Sequence, residues 1–299
     1  MTRFICAVTA AIAFSACAGV DDGGSGGGGG GGTPPPAGSD LVVGDLTSAT
    51  FDSQTEELRV QIAFSGPGPM PAFAQDGVPV LGYLRFSRQE DALLPAFTAY
   101  ARESTDGSVQ AVVVADGGQF ARFSGGTVAV QNNYVAPTGG SARYLGSYVG
   151  LLNLGGPTGT APDDAGEATP RVSTTVTGHA LINADFNRLR IEGRINDRQA
   201  LIDGEMVDLR EIILIEDAIA TDGRFNGTVE QRNAGGNTSG VGSYSGTLGG
   251  QQANAIAGMI RLDGNFIDVP GINNEFEYGI FVLDKCQAGT PACLEVTNP

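Results

Sequence analysis

The chain has 299 residues with 33 acidic and 17 basic side chains, a formal net charge of −16 and an isoelectric point near 4.3. Such an acidic surface excludes nucleic acid and anionic lipid headgroups as favoured partners, because both repel negative charge. Hydrophobic residues make up 41% of the chain. The roughly 260 residues from Asp40 to Pro299 therefore suffice for one large β domain or two small ones.

The N-terminus has the pattern of a bacterial lipoprotein signal peptide. A short apolar segment follows Arg3 and ends in Phe14-Ser15-Ala16-Cys17. It is too short for a membrane span, which needs about 20 residues. Small residues before a cysteine are typical of the site where the thiol is acylated and the peptide is cut. We predict lipid attachment at Cys17 after removal of residues 1–16, with an ordinary cleaved signal as the alternative.

Residues 17–39 predict a flexible tether between the lipid and a folded body. Residues 23–32 are nine glycines and one serine, and three prolines follow at 34–36. A glycine tract cannot bury a core and behaves as a coil, whereas a proline run is a stiffer spacer. Ala18 after the lipidated cysteine favours release to the outer membrane. The predicted localisation is therefore the outer membrane, lipid-anchored, with the body facing either the cell surface or the periplasm.

The chain has four cysteines, of which two lie in the predicted signal region and two lie near the C-terminus. Cys6 leaves with the signal peptide and Cys17 carries the lipid, so Cys286 and Cys293 remain. An even remainder in an exported protein indicates a disulfide. A metal site is the alternative, but the single His179 cannot complete a set of four ligands. The sequence predicts a Cys286–Cys293 disulfide, with no metal and no cofactor.

Alternation of apolar and polar residues predicts an all-β chain. Strands of a smaller N-terminal β domain, residues 40–135, are predicted at Leu58–Phe64, Val78–Phe86, Ala96–Arg102 and Val109–Ala115. Eight strands of a second domain, residues 136–299, are predicted near 142–154, 171–184, 187–196, 207–219, 222–232, 240–249, 253–263 and 276–284. Eight antiparallel strands can close a barrel, and a β-sandwich is the alternative.

Glycines recur at positions that this alternation turns inward, where a missing side chain permits tight coiling. Two segments repeat the pattern Gly-Ser-Tyr-x-Gly, each with a tyrosine whose ring can cover bare backbone. The residues of this barrel motif are Gly146, Tyr148, Gly150, Gly242, Tyr244, Gly246 and Gly258. We assign them a structural role and predict no ligand-binding residues from the sequence.

The segments Gly242–Gly250, Ala253–Gly258 and Glu277–Phe281 together resemble the end of the barrel in transferrin-binding protein B-like surface lipoproteins. The resemblance implies a single lobe with a handle-like β domain followed by the barrel. It also implies a non-catalytic module that binds a solute or a host protein. An extracellular protein or an iron or haem carrier is the partner class that it suggests.

The sequence contains no residue pattern that is typical of an enzyme active site. His179 falls on the polar face of a strand, a poor place for a shielded base, and no Gly-x-Ser-x-Gly elbow precedes a helix. We predict an outer-membrane-anchored lipoprotein that is not an enzyme and acts as a binding or surface-interaction module. The alternatives are a structural envelope protein or adhesin without a small ligand, and a secreted hydrolase.

Overall fold

The protein was studied as a computed structural model, which describes residues 40–63, 68–119, 123–154, 170–202, 204–232, 236–267, 275–287 and 293. All named elements of this part are β-strands. The predicted signal peptide, the tether and Cys17 lie outside the described residues. The all-β prediction is confirmed.

The first eight strands form the N-terminal sheet, in the order β1-β8-β7-β6-β5-β4-β3-β2. Their bounds are β1 Leu41–Gly44, β2 Leu46–Asp52, β3 Glu57–Ile62, β4 Ala72–Gln75, β5 Leu84–Arg88, β6 Phe97–Glu103, β7 Val109–Asp116 and β8 Gly125–Gln131. One face of this sheet buries an apolar cluster that includes Phe51, Leu58 and Phe86. Burial of that cluster stabilises the sheet through the hydrophobic effect.

The remaining strands build the barrel. Their bounds are β9 Tyr134–Val135, β10 Ser141–Asn153, β11 Thr174–Asp185, β12 Arg190–Ile202, β13 Glu205–Leu209, β14 Ile212–Ala218, β15 Arg224–Arg232, β16 Thr238–Gln251, β17 Ala255–Gly264 and β18 Glu275–Asp284. Antiparallel pairing runs through β10, β11, β12, β14, β15, β16, β17 and β18, and β18 pairs back onto β10. The ring is closed, so the predicted eight-stranded barrel is confirmed and the sandwich alternative is wrong.

The two sheets pack against each other through β7 and β18. Outward-facing Tyr278, Ile280 and Val282 of β18 join Val109 and Val113 of β7 in one apolar cluster. The opposite face of β18 contributes to the barrel core. Its first nine residues are therefore all buried, which explains why this strand shows little alternation between apolar and polar residues.

Two sequence predictions require correction. Val78–Phe86 is only partly a strand: residues 76–83 form a loop, and β5 begins at Leu84. The alternation of apolar and polar residues in the predicted strand 187–196 places Leu189 inward with Ile191, but Leu189 is exposed and has a φ of 54° in the turn between β11 and β12. A turn breaks the two-residue period, so apolarity alone does not place its residues on a face.

The ends of the barrel differ. At one end, short connections join β11 to β12, β14 to β15 and β16 to β17. At the other end, long connections span residues 154–173 and 265–274, and the hairpin of β12 and β13 continues past the first residues of β14. Loops at one end of a rigid β scaffold are a common location for binding residues.

Candidate functional site

The structure joins Cys286 and Cys293 by a disulfide. The backbone N–H of Cys286 donates to the Arg143 carbonyl at 2.8 Å, and the Arg143 guanidinium donates to the Cys293 carbonyl at 3.2 Å. The disulfide loop is thus tied to β10. Together with β11 and β12 it bounds an open cleft of about 600 Å³ that also contains Arg188 and Glu216.

The two motif tyrosines lie in the barrel core and cover glycines of other strands. A Cβ atom added to Gly279 would lie 1.9 Å from the Tyr148 Oη, and one added to Gly227 would lie 2.5 Å from the Tyr244 Cε1. Both spaces are filled by the rings, so neither glycine position tolerates a side chain without movement. The flanking glycine Gly150 is also close to Tyr148, since a Cβ atom added to it would lie 3.0 Å from the Tyr148 Oη.

The motif glycines have similar close neighbours. An added Cβ would meet Leu283 at Gly146, Glu277 at Gly150, the Arg261 carbonyl at Gly242, Phe225 at Gly246 and Phe281 at Gly258, with the nearest atom at 2.9 Å or less in each case. These positions therefore hold glycine because large side chains or backbone atoms occupy the adjoining volume.

A buried polar cluster inside the barrel was not predicted from the sequence. The Arg198 Nη2 donates to the Glu277 Oε2 at 2.6 Å, and the Tyr148 hydroxyl donates to the Glu277 Oε1 at 2.5 Å. The Arg198 Nη1 donates to the Arg210 carbonyl at 2.9 Å. Arg198 and Glu277 are fully buried. Burial, with the Glu277 carboxylate as a further cause, raises the pKa of Tyr148 well above its usual value.

The buried cluster could not be predicted from the sequence because the side-chain alternation of β12 changes phase before Arg198. The register of β11 and β12 shifts between Thr177 and His179, and Asp197 has a φ of 49°. One extra residue in a bulge reverses which side chains face the core. Arg198 therefore points inward, where unbroken alternation would not place it. The only usable signal was Glu277, an acidic residue in a strongly apolar strand.

His179, the residue on which a catalytic hypothesis would depend, is exposed. Its Nδ1 lies 3.6 Å from the Asp197 Oδ2, and both side chains are more than half exposed. An exposed pair in solvent lacks the shielding that tunes a general base. Within the described ranges, no group of three or more His, Cys, Asp or Glu side chains could hold a metal ion.

The clearest surface feature is the loop of residues 76–83, called here the 76–83 loop. Val78 is 82% exposed and Leu81 is 45% exposed. Leu81 has a φ of 50°, which is unusual for a bulky residue and indicates a backbone held by its surroundings. A cleft of about 510 Å³, the loop cleft, adjoins Gly82 of this loop. It is also lined by Phe51, Ser53, Leu84, Arg102, Glu103 and Asp106.

Three contacts fix the 76–83 loop. Arg85 forms an ion pair with Asp76 at 2.9 Å. Val80 and Tyr83 exchange two backbone hydrogen bonds of 2.9 Å, which close a tight turn. The Arg102 guanidinium lies 5.2 Å from the centre of the Tyr83 ring, a cation–π contact. The loop is therefore held at its base and in its turn.

Tyr83 also anchors the loop to the barrel. Its hydroxyl donates to the Ser147 carbonyl at 2.8 Å and accepts the Val282 N–H at 3.0 Å. The ladder between β10 and β18 extends from Asn153 to Tyr148 on β10 and stops there. The hydroxyl of Tyr83 thus bridges the two strands where they separate. Burial raises the pKa of Tyr83 to about 12.

No helix in the described part of the chain has the length and hydropathy needed to cross a membrane. No protein-family model matches the chain, and no curated protein sequence matches it.

Several solved structures are similar to the chain. A double mutant of the vaccine antigen Transferrin Binding Protein B from Haemophilus parasuis Hp5 has 12% identity and a TM-score of 0.41, over 72% of this chain and 39% of that one. Intact Ap-TbpB, with N and C lobes, has 11% identity and a TM-score of 0.41, over 83% and 46%. The isotype 1 protein of serogroup B Neisseria meningitidis has 12% identity and a TM-score of 0.37, over 80% and 52%. The chain spans about half the length of these proteins or less, and similarity at this level carries no information about a ligand.

Proposed function

We propose that the chain is a lipid-anchored lipoprotein of the outer membrane that binds an extracellular protein without catalysis. In this proposal Cys17 carries the lipid, residues 17–39 form the tether, and the two β-sheets form the body. The observation that carries it is the 76–83 loop, which exposes Val78 and Leu81 while its turn and base are fixed.

Exposed apolar side chains on a fixed loop suit protein recognition for two reasons. Burying them in an interface is favourable, at about 25 cal/mol per Å² of apolar surface. A loop already held in its binding conformation loses little entropy on association. The loop cleft beside it offers Arg102 and Glu103 for polar contacts at the rim. The net charge of −16 favours a partner with a basic contact surface.

The barrel interior supports a scaffolding role. Arg198, Glu277 and Tyr148 are fully buried, and the Glu277 carboxylate accepts a hydrogen bond from each of the other two side chains. Groups without solvent access cannot reach a substrate, so this cluster orders the barrel. Iron- and haem-carrying proteins belong to the proposed partner class, as do other extracellular proteins. A structural envelope protein without a partner is the competing proposal.

Binding can be tested with the purified lipoprotein in detergent, immobilised and exposed to extracellular fluid proteins and purified iron carriers. We expect Val78→Asp and Leu81→Asp to weaken retention by about tenfold or more, because a charge in an apolar contact must be desolvated. Leu93→Asp is the matched control, since Leu93 is 72% exposed on a different loop. Equal retention by all three variants would reject the 76–83 loop as the contact surface. No retention by the wild type would favour the structural role.

The anchor has a separate test. Cys17→Ser should move the protein from the membrane fraction to the soluble fraction, because the acyl chains supply the membrane affinity. Unchanged fractionation of this variant would reject lipidation at Cys17.

A further inference from the structure

The β12–β13 hairpin has a free edge. β13 pairs with β12 from Glu205 to Leu209, opposite Ile202 to Arg198. The next strand along the chain, β14, is the one that continues the ring by pairing with β15. In the part of the chain that the structure describes, no strand lies on the other side of β13.

The backbone of β13 alternates between bonding β12 and facing this edge. Two residues, 203 and 204, connect the strands, and Ile202 is opposite Glu205. In a two-residue hairpin the residues that flank the turn form a hydrogen-bonded pair, and every second residue repeats it. By this alternation the backbone N–H and C=O groups of Val207 form hydrogen bonds with β12, whereas those of Met206 and Asp208 face the free edge.

The side chains beside this edge are exposed. Leu201 and Met206 are directly opposite each other and are 55% and 64% exposed. Glu205 and Asp208 are exposed acids on the same strand. Natural edge strands are often protected from pairing by charged side chains, especially lysine, by proline or by a bulge, and the two charges of β13 are both negative, so they repel acidic strands and attract basic ones. Residues 205–209 contain neither lysine nor proline, and β13 pairs with β12 without a register shift.

We propose that the edge of β13 accepts, as an added strand, an extended peptide segment that alternates basic and apolar residues. The main-chain groups of Met206 and Asp208 provide the hydrogen bonds, as in other cases of strand addition. Basic residues of the peptide that lie on the face of Met206 and Asp208 are attracted by Asp208, and the apolar residues pack beside Val207 on the opposite face. The inference goes beyond the proposed function, because it concerns a different surface and does not require the 76–83 loop.

Repulsion between like charges makes a second copy of the chain an unfavourable partner for the β13 edge. Antiparallel pairing of two β13 strands through the edge-facing groups of Met206 and Asp208 would make the Asp208 side chains of the two copies diagonal neighbours on the same face. Like charges across neighbouring strands are destabilising. Each copy also carries a net charge of −16, which opposes association.

The test uses a fluorescent peptide of sequence Lys-Val-Lys-Val-Lys-Val with blocked ends and the purified full chain. We expect saturable binding in anisotropy titrations and slower amide hydrogen exchange at residues 205–209. Met206→Pro removes an edge-facing N–H without removing a bond to β12, so it should weaken binding by about tenfold or more. Met206→Ala, the matched control, should bind within about threefold of the wild type. If Met206→Pro does not fold, Asp208→Pro and Asp208→Ala give the same comparison.

Four outcomes would overturn the inference. Proline and alanine variants could bind the peptide equally, or a Glu-Val peptide could bind as well as the Lys-Val peptide. The β13 amides could already be protected without peptide in the monomer, which would mean that another part of the chain covers the edge. They could instead be protected in a sedimenting dimer, which would identify a second copy as the occupant. Val78→Asp should leave peptide binding unchanged, because Val78 lies in the 76–83 loop and not beside β13. Failure of the proposed function can therefore be distinguished from failure of this inference.

Discussion

Arg198 and Glu277 form an ion pair of 2.6 Å inside the barrel, although their strands, β12 and β18, are not neighbours in the ring. The pair therefore crosses the interior and connects two parts of the wall. A buried ion pair contributes little net stability compared with apolar residues, but removal of one partner leaves a buried charge uncompensated. This asymmetry makes the role of the pair measurable.

Glu277→Gln should lower the free energy of unfolding by about 3–5 kcal/mol, because the Arg198 charge would remain buried without an ionised partner. The double variant Arg198→Met and Glu277→Leu should lose much less, since no charge is left behind. Denaturant unfolding of both variants measures the difference. An equal loss in the single and double variants would contradict this account of the pair.

Tyr83→Phe should destabilise the chain by about 1–3 kcal/mol, because the Val282 N–H and the Ser147 carbonyl would lose a buried partner. Tyr100→Phe is the control: the Tyr100 hydroxyl bonds the Thr175 hydroxyl at 2.8 Å, and that hydroxyl can rotate to another partner. Thermal melts of the two variants make the comparison. A melting temperature of Tyr83→Phe equal to that of the wild type would show that the bridge between β10 and β18 is not important for stability.

Asp116 should make stability depend on pH. Burial raises the pKa of its carboxyl to about 6, although it accepts the N–H groups of Gly118 and Ser124. Because the pKa of Asp116 is higher in the folded state than in the unfolded state, its protonated form favours folding. The contribution of Asp116 to the free energy of unfolding is therefore complete below about pH 4 and is lost as the pH rises through about 6. Asp116→Asn keeps an oxygen acceptor and removes the ionisation.

The Asp116→Asn variant should therefore be more stable than the wild type at pH 7.5, by about 2–3 kcal/mol, and similar to it at pH 4. Chemical denaturation across this pH range provides the measurement. A constant difference between variant and wild type at all pH values would rule out titration of Asp116 as the cause.

Gly246→Val tests the inward face of β16. A Cβ at this position would lie 2.4 Å from the Phe225 ring and 2.4 Å from the Ala257 carbonyl oxygen. Overpacking of this kind typically costs about 1–3 kcal/mol. Ser245→Val, on the other face, should be milder, because surface changes usually stay within about 0.5 kcal/mol. Greater damage from Ser245→Val in a thermal melt would mean that the inward and outward faces are reversed.

Much of the barrel could be predicted because its strands alternate regularly. Val176, Ala180 and Ile182 of β11 lie in the core, as their two-residue spacing predicts. Leu189 was misplaced because it lies in a turn, where the period ends. Periodicity is thus informative within a strand and uninformative at its ends.

The candidate site was harder to predict because it depends on tertiary contacts. Arg198 faces the core only because a bulge changes the phase of β12. The sequence predicts Val78 and Leu81 as strand residues because their apolarity is typical of a buried strand. Their exposure follows from the tight turn between Val80 and Tyr83 and from the attachment of Tyr83 to the barrel. Contacts of this range leave no local signal in the sequence.

The bridge made by Tyr83 has a consequence for the order of folding. Tyr83 and Val282 are 199 residues apart in the chain, and Tyr148 and Glu277 are 129 residues apart. Contacts between such distant residues require closure of very long loops and slow the folding of β proteins. The strands of the N-terminal sheet precede those of the barrel in the chain, so the sheet that carries Tyr83 is synthesised before β10 and β18. We expect it to serve as the surface on which β10 and β18 meet, so that a barrel expressed without it would close slowly and expose unpaired strand edges to aggregation.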